Sequence, residues 1–394
     1  MPLEITHNWR LNPNMTKGTK LLLPWYRYPP FRAAGIGGLS VTLWELSREL
    51  AERGILVDVL TPANSNEPPI DIRSKVNVIS SELGAKFFHN ERLKQDEIRT
   101  MQTYDAILSI NNYAARTLHS IGKQLGRVIR QIHTIGQDRK IRTYSSLKPN
   151  ILELLRMLKA KRSDQQNLSR LTGSRTICVS NYLKHEMQER GLESATNLFM
   201  IPNGIHQKYF RPMNLEKQFD ILFVGRFQKA KGLDILLDAL HLAHSRWGET
   251  YKLGIVGEFT DEQQTFLLNS TPPTVRESTK FLGTVQREEM PRSINSAKLV
   301  LIPSRYESFG LPALEAIACG VPVLATKVGG LPEIIDESVG SLLQSNDPGS
   351  LAQAIRACLK DASLTERVVS NRPIRAAQYD WSVIAPRILH VLFP

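Results

Sequence analysis

The chain has few cysteines and no long hydrophobic run. Its three cysteines, Cys178, Cys319 and Cys358, are too few and too widely spaced for a disulfide framework or a zinc site. No apolar stretch approaches the roughly 20 residues needed to cross a bilayer. The N-terminus lacks the basic-then-apolar pattern of a secretory signal, and the chain lacks internal repeats and low-complexity segments. A globular protein of the cytoplasm is therefore the expectation.

The chain is instead rich in apolar residues and in positive charge. At 394 residues, with 42% hydrophobic and 22% charged side chains, it predicts two globular domains with sizeable cores. The formal net charge of +12 is uneven: residues 1–208 hold 30 of the 50 basic and 18 of the 38 acidic side chains, so the remaining 20 and 20 cancel. A basic first half favours phosphorylated substrates, anionic lipid headgroups or nucleic acid as partners.

The first half begins with a strand, a glycine loop, a helix and a second strand. A short apolar strand at 20–24 is followed by a loop ending at Gly38, a helix at 39–53 with leucines at helical spacing, and a strand at 55–60. Such βαβ units form parallel sheets that bind ligands at the carboxyl ends of their strands. The glycines lack the GxGxxG spacing of a dinucleotide site, so the loop either approaches a ligand or is a plain tight turn.

Further strands and a basic region complete the first half. Strands are predicted at 76–80, 106–110, 128–133 and 176–180. His133 ends the third of them, where a side chain would face a ligand site. A basic segment at 127–148 leads into an amphipathic helix at 151–162, which either lies on a membrane surface or covers the sheet.

The same pattern restarts after a proline-punctuated linker that ends near Pro212. A strand at 221–224 enters the loop 225–232, which carries Arg226 and Lys231 and leads into a helix. Two cations beside a helix N-terminus could neutralise a diphosphate, although they could also be ordinary solvated loop charges. The restart indicates two similar α/β domains. Later strands are predicted at 251–256, 279–282, 299–303 and 321–325, and later helices start at 347–348 and 380–382.

The stretch 303–333 contains two glutamates eight positions apart, Glu307 and Glu315. Pro312 suits the first turn of a helix, so a helix is predicted at 311–319, with Glu307 just before it and Glu315 one turn inside. A helix N-terminus favours an anionic group. A carboxylate there indicates a ligand that is rich in hydroxyls and also anionic, as a sugar phosphate is. Alternatively, Glu307 caps the helix and Glu315 lies on its solvated face.

Five segments of the second half resemble the retaining glycosyltransferases of family 4, which have the GT-B fold. They are PNGI (202–205), FVGRFQKAKGLDILLDAL (223–240), FLGTV (281–285), PSRYESFGLPALEAIACGVPVLA (303–325) and VGGLPEII (328–335). Weaker matches are GIGGLSVTLWELSRELAERG (35–54), VSNYL (179–183) and DW (380–381). The resemblance implies an α/β protein with two Rossmann-like domains facing each other across a donor/acceptor cleft. The acceptor domain would span 1–208 plus 376–394, and the nucleotide-sugar-binding domain 209–375.

The resemblance also implies a donor site in the C-terminal domain. Arg226 and Lys231 would bind the diphosphate of a nucleotide-sugar. Glu307 would bond hydroxyls of the transferred sugar, and Glu315 would bond the ribose. Sugar and phosphate would also be held by three successive main-chain N–H groups, those of Phe309, Gly310 and Leu311.

Three further positions take roles from the same resemblance. The nucleotide base would rest against the segment around Val285. Gly38 would approach the phosphates or the acceptor, and His133 would lie beside the anomeric carbon. The residues with implied catalytic roles are His133, Arg226, Lys231 and Glu307.

The implied reaction is transfer of a hexose, with retention, from a nucleotide-sugar to a glycan or a polyprenyl-diphosphate-linked acceptor. UDP-glucose is the first expectation for the donor and GDP-mannose the second. Two cations and helix-end amides can stabilise the departing diphosphate, so neither a metal nor another cofactor is expected. Retention would follow a front-face route, in which the leaving phosphate oxygen takes the acceptor proton.

The expected place of this reaction is polysaccharide or glycoconjugate synthesis in the cytoplasm, with peripheral contact to the inner face of the membrane left open. Two alternatives stay beside it. One is a GT-B-type glycoside phosphorylase or disaccharide synthase. The other is a basic nucleic-acid-binding or scaffolding protein, although the sequence shows no motif of a known nucleic-acid reader.

Overall fold

The computed structural model describes residues 18–24, 38–62, 76–89, 91–110, 117–118, 128–133, 173–269 and 271–394. The predicted amphipathic helix at 151–162, most of the basic segment 127–148 and the loop before Gly38 lie outside the described residues. Within the described ranges, no helix is both long enough and apolar enough to span a membrane.

The described chain divides into two compact units. The first comprises the residues up to Gly204 together with Trp381–Pro394, and the second is Ile205–Asp380. The chain therefore passes between the units after Gly204 and after Asp380, whereas the sequence placed the boundaries after residue 208 and before residue 376. Two local contacts account for these points: Ile205 forms a parallel bridge with Asp380, and Gly204 packs on the indole of Trp381.

Both units consist of parallel strands that alternate with helices. The strands of the first unit are β1 (Lys20–Pro24), β2 (Leu56–Pro62), β3 (Val76–Ser81), β4 (Ala106–Ile110), β5 (Val128–Ile132), β6 (Thr176–Cys178) and β7 (Leu198–Met200). Those of the second are β8 (Phe219–Val224), β9 (Leu253–Val256), β10 (Thr279–Gly283), β11 (Ala297–Ile302), β12 (Val323–Thr326) and β13 (Gly340–Leu343).

Helices pack on these strands in both units. In chain order they are α1 (Gly38–Glu52), α2 (Glu82–His89), α3 (Gln95–Met101), α4 (Asn181–Glu189), α5 (Leu233–Trp247), α6 (Asp261–Asn269), α7 (Pro273–Glu277), α8 (Met290–Asn295), α9 (Leu311–Ala318), α10 (Leu331–Ile334), α11 (Pro348–Lys360), α12 (Leu364–Ala377) and α13 (Trp381–Leu392). Short 3-10 turns lie at Ala195–Asn197 and Lys229–Lys231.

Among the described residues, the first sheet has the order β3-β2-β1-β4-β5-β6-β7, and the second has the order β10-β9-β8-β11-β12-β13. Strands in parallel sheets are covered on both faces, so they read as continuous apolar runs. In β1, Leu21 and Leu23 face the core formed with α1 and α13, while Leu22 faces the opposite core with Leu60 and Ile107. This double burial explains why β1 was recognisable in the sequence.

The last helix, α13, belongs to the first unit although it follows the second along the chain. Trp381 at its start is buried and donates its indole N–H to Glu45 on α1, at 3.0 Å. Apolar residues along α13, including Ile384 and Ile388, join the core around β1. The DW pair of the sequence thus marks the point where the chain returns to the first unit.

In the second unit the chain runs outward from β8 to β9 and β10, then returns to β11 on the other side of β8. At such a reversal the loops after the two central strands leave in opposite directions, so a crevice forms at their carboxyl ends. The two loops concerned are 225–232 after β8 and 303–310 after β11. These loops carry most of the predicted donor-site residues.

Candidate active site

The loop after β8 brings a lysine to the switch point of the second sheet. Lys229–Lys231 forms a 3-10 turn, and α5 begins after Gly232, which has φ +71°. A Cβ at Gly232 would lie 1.8 Å from the carbonyl oxygen of Pro303, so only glycine allows the two loops to approach this closely. Close packing of the loops places Lys231 Nζ 2.7 Å from Glu307 Oε2, with both side chains partly buried.

The loop after β11 leads into α9 through Gly310. Gly310 occupies the N-cap position with φ +108°, and no side chain caps the helix. Glu307 is therefore not the helix cap, because its carboxylate is engaged by Lys231. Pro312 stands in the first turn, as predicted. The first N–H groups of α9 are available for a ligand in the absence of a side-chain cap.

Two glycines of the VGG segment support the main chain of Glu307. Gly330 donates its N–H to the Glu307 carbonyl oxygen at 3.0 Å, and a Cβ at Gly329 (φ +55°) would lie 1.7 Å from that oxygen. Phe309 is buried and packs edge-on against Tyr379, with ring centroids 6.1 Å apart. The segment 328–330 therefore helps to fix the position of the Glu307 loop.

Glu315 lies one turn inside α9 and is only 5% exposed. Its carboxylate forms an ion pair with Arg287, whose guanidinium stacks over the ring of Phe210 at 4.2 Å. The alternative that Glu315 lies on a solvated helix face is therefore wrong: α9 is covered on that side. Arg287 follows β10 and was not identified from the sequence, where it stands among several charged residues without a distinguishing pattern.

Three further predicted residues, Arg226, Val285 and Leu311, lie in the second unit. Arg226 is exposed in the loop after β8, and its side chain makes no hydrogen bond or ion pair with the rest of the described chain. Val285, two residues beyond β10, is half-buried, as is Leu311 at the start of α9. The structure thus brings Lys231, Glu307 and the residues 309–311 together, with Arg226 on the same loop as Lys231.

A second unpredicted arginine, Arg305, connects the two loops. Its guanidinium binds both carboxylate oxygens of Asp234 at 2.7 Å each, and it also donates to the carbonyl oxygen of Lys229 at 2.6 Å. In the sequence, Arg305 is recognisable only as a basic residue inside the PSRYE segment. No sequence pattern indicates that Asp234 is its partner.

Two predicted site residues belong to the first unit: Gly38 lies at the start of a helix, and His133 lies at the carboxyl end of a strand. Gly38 is the first residue of α1 and is exposed; its carbonyl oxygen accepts the hydroxyl of Thr42 at 2.9 Å. His133 directly follows β5. Burial lowers the pKa of His133 to about 3, so its imidazole is neutral near pH 7. A neutral imidazole cannot supply positive charge.

The second unit therefore offers two kinds of recognition group side by side. The Lys231 ammonium and the first N–H groups of α9 favour phosphate oxygens, and the Glu307 carboxylate favours hydroxyl donors. A ligand that carries both a phosphate and several hydroxyls matches this pair. The ion pair between Lys231 and Glu307 compensates both charges.

Two family models match the chain in succession. The model described as Glycosyltransferase Family 4 matches residues 36–208, and the model described as Glycosyl transferases group 1 matches residues 206–374. A D-inositol 3-phosphate glycosyltransferase of Corynebacterium jeikeium is 26% identical over 91% of this chain and 91% of its own length.

Two solved structures share the fold. Sucrose-phosphate synthase from Thermosynechococcus elongatus superposes with a TM-score of 0.75 at 22% identity, covering 94% of this chain and 97% of the other. Anabaena HepE in complex with UDP-glucose superposes with a TM-score of 0.72 at 20% identity, covering 95% and 99%.

Proposed function

Because the chain belongs to the glycosyl transferases of group 1, family 4, and is an enzyme of the GT-B fold, we propose that it transfers a hexose from a nucleoside-diphosphate sugar. The observation that carries the proposal is the contact between Lys231 and Glu307 at the switch point of the second sheet. Membership of this family decides for an enzyme and against a scaffolding or nucleic-acid-binding protein.

The donor is proposed to bind between the loops 225–232 and 303–310. Its diphosphate would accept hydrogen bonds from the ammonium of Lys231, the guanidinium of Arg226 and the N–H groups of residues 309–311. The sugar hydroxyls would donate to Glu307, and the ribose to Glu315. Arg287 already donates to the carboxylate of Glu315 and so orients it. The ribose would share this carboxylate with Arg287.

The reaction is proposed to retain the configuration of the sugar and to need no metal. The bond between the anomeric carbon and the diphosphate oxygen breaks, and the diphosphate leaves with both electrons. The acceptor hydroxyl forms the new bond on the same face and gives its proton to the departing phosphate oxygen. Positive charge from Lys231 and Arg226, with the α9 amides, would stabilise the leaving group. His133 would contribute as a neutral group beside the anomeric carbon, as the resemblance implies.

UDP-glucose is the proposed donor, and GDP-mannose is the second choice. The support is a fold neighbour, Anabaena HepE, whose structure is in complex with UDP-glucose. Incubation with a panel of labelled UDP- and GDP-sugars, with transfer and slow hydrolysis both recorded, tests this choice. A preference for GDP-mannose would replace the donor but keep the reaction. Absence of transfer, hydrolysis and nucleoside-diphosphate binding across the panel would overturn the proposed function.

The acceptor is proposed to be anionic, either a glycan or a polyprenyl-diphosphate-linked sugar at a membrane. Two observations support a negatively charged acceptor. Residues 1–208 hold 30 basic against 18 acidic side chains. Two proteins whose names contain a sugar or inositol phosphate, the D-inositol 3-phosphate glycosyltransferase and the sucrose-phosphate synthase, are similar over 91% and 94% of this chain. Lipid-linked diphosphate sugars, sugar phosphates and uncharged glycans should be compared at low and moderate salt. Equal transfer to uncharged glycans at both salt concentrations would contradict the proposed charge. Phosphate-dependent cleavage of a disaccharide would instead identify a phosphorylase.

Two substitutions test the roles of the contact itself. Lys231→Ala and Glu307→Gln should each lower kcat/KM by roughly a hundred-fold, because each removes a charged group expected to contact the donor. Arg356→Ala is a matched control, since Arg356 also pairs with a carboxylate, that of Glu249, which lies just beyond the C-terminal end of α5. EDTA should leave the rate unchanged. Full turnover by either site variant would refute the role given to that residue.

A further inference from the structure

Arg305 bonds two successive carbonyl oxygens in the 3-10 turn of the loop after β8. Its main-chain N–H donates to the carbonyl oxygen of Ala230 at 2.8 Å, and its Nη1 donates to that of Lys229 at 2.6 Å. The two nitrogens Nη1 and Nη2 also bind Oδ1 and Oδ2 of Asp234, in the first turn of α5, at 2.7 Å each. One side chain thus ties the start of the turn to the start of the helix that follows it.

The turn is short and spans Lys229–Lys231. A 3-10 turn has poorer hydrogen-bond geometry than an α-helix and rarely exceeds a few residues. The local bonds of this turn run from the Lys231 N–H to Gln228 at 2.9 Å and from the Gly232 N–H to Lys229 at 3.2 Å. The Lys231 ammonium is carried on a flexible four-carbon stem. The turn fixes the Lys231 Cα and so sets the region that the ammonium can reach.

We propose that Arg305 and Asp234 form a clamp that positions Lys231 for the diphosphate of the donor. Arg305 is a positioning residue here, because its guanidinium is directed to Asp234 and Lys229 and acts on the substrate through Lys231. The clamp also joins the loop after β8 to the loop that carries Glu307, so it sets the distance between the two partners of the Lys231–Glu307 contact. The catalytic part of this inference rests on the proposed function.

A direct role of Arg305 as a diphosphate ligand is the competing explanation. The geometry favours positioning, because a bidentate Arg–carboxylate pair fixes the orientation of the guanidinium. The two explanations differ in how substitutions combine. A positioning residue loses its effect when the residue it positions is removed, whereas a second ligand keeps its effect.

The first test needs no donor. Amide hydrogen exchange is measured on the ligand-free full chain for the native protein, Arg305→Ala and Arg305→Lys, with Arg356→Ala as the control for loss of an arginine–carboxylate pair. The amides of Lys231 and Gly232 should exchange about ten-fold faster in Arg305→Ala, because charge-assisted hydrogen bonds to the turn are lost. Unchanged exchange at these two amides would overturn the clamp. Asp234→Asn provides the same comparison should Arg305→Ala fail to fold.

The second test uses transfer from the donor that the panel identifies. Arg305→Ala should lower kcat/KM by roughly ten- to a hundred-fold, chiefly in kcat, and Arg305→Lys should recover little because it cannot form the fork. In a Lys231→Ala background, Arg305→Ala should cost nothing further. An equal loss in both backgrounds would overturn the positioning role and favour direct binding. Failure of the proposed function would be seen separately, as absence of transfer by the native enzyme, and the exchange measurement would still decide on the clamp.

Discussion

The fully buried ion pair between Arg130 and Glu193 yields a prediction about the stability of the first unit. Both side chains are 0% exposed, and Arg130 Nη2 lies 2.5 Å from Glu193 Oε2. Arg130 also donates Nε to Thr176 at 3.0 Å, and Glu193 accepts the N–H of Gly173 at 2.9 Å. Burial lowers the pKa of Arg130. A guanidinium stays protonated in proteins, so removal of the carboxylate would leave a buried, uncompensated charge.

Glu193→Gln should therefore destabilise the first unit by about 3–5 kcal/mol, a large part of the stability of a typical domain. The assay is amide hydrogen exchange of the β5 and β8 peptides in the full chain. Protection of β5 should fall by a hundred-fold or more, since about 1.4 kcal/mol corresponds to a factor of ten. Protection of β8, in the second unit, should stay nearly unchanged because the lost pair lies wholly in the first unit.

Two comparisons separate burial of charge from loss of contacts. Glu249→Gln is the surface control: Glu249 also accepts from two cations, Arg356 and Lys360, but its loss should have a much smaller effect because solvent screens the pair. The double variant Arg130→Met with Glu193→Gln should be more stable than Glu193→Gln alone, because no buried charge remains. If the single and double variants lose the same stability, the argument from uncompensated charge is wrong.

Three further predictions concern single residues. Gly232→Ala should cost at least about 1 kcal/mol and raise KM for the donor, because it adds a Cβ 1.8 Å from the Pro303 carbonyl oxygen at φ +71°; a variant with native KM and thermal midpoint would contradict the geometry. Below pH 6.5 His133 is protonated in the unfolded chain but not in the folded chain, where its pKa is about 3. The free energy of unfolding should therefore fall by about 2 kcal/mol by pH 5. In urea titrations, His133→Gln should remove this dependence of the unfolding free energy on pH. Trp381→Phe should destabilise the first unit by about 1–3 kcal/mol in the same titrations, since it removes the donor to the buried carboxylate of Glu45; an unchanged midpoint would refute the bond.

Much of the fold could be predicted because it depends on local patterns. The strands at 20–24 and 106–110 and the helix starts at Leu233 and Leu311 were predicted at their observed positions, since apolar runs, glycine and Pro312 mark them in the sequence. The predicted strand ends were less accurate where the side chain of a nearby residue caps the helix that follows. The strand predicted to reach residue 180 ends at Cys178, because Ser180 caps α4 by accepting the N–H of Leu183.

The short strands β7 and β13 and most short helices could not be predicted. The strand β7 spans three residues and β13 four, so neither provides enough positions for a periodic pattern. These strands are stabilised by pairing with β6 and β12, which are distant in sequence. Pairing of this kind is a tertiary effect that outweighs local propensity.

In the candidate site, too, local motifs were predicted and contacts between distant residues were not. Lys231 and Glu307 were singled out by their motifs, but their contact depends on the approach of Gly232 to Pro303, which joins two loops. Arg287 and Arg305 were missed because their partners, Glu315 and Asp234, are far away in sequence, at separations of 28 and 71 positions. Charged residues are common on protein surfaces, so their types alone did not distinguish these two arginines from solvated ones.

The return of α13 to the first unit has a consequence for recombination between relatives. A chimera that takes its second unit from another protein must be joined at two points, after Gly204 and after Asp380, because the residues beyond Asp380 complete the core of the first unit. A single crossover would pair the Glu45 of one parent with the Trp381 of the other. The second unit is therefore exchangeable as an internal cassette, and the C-terminal helix must be inherited together with the N-terminal half.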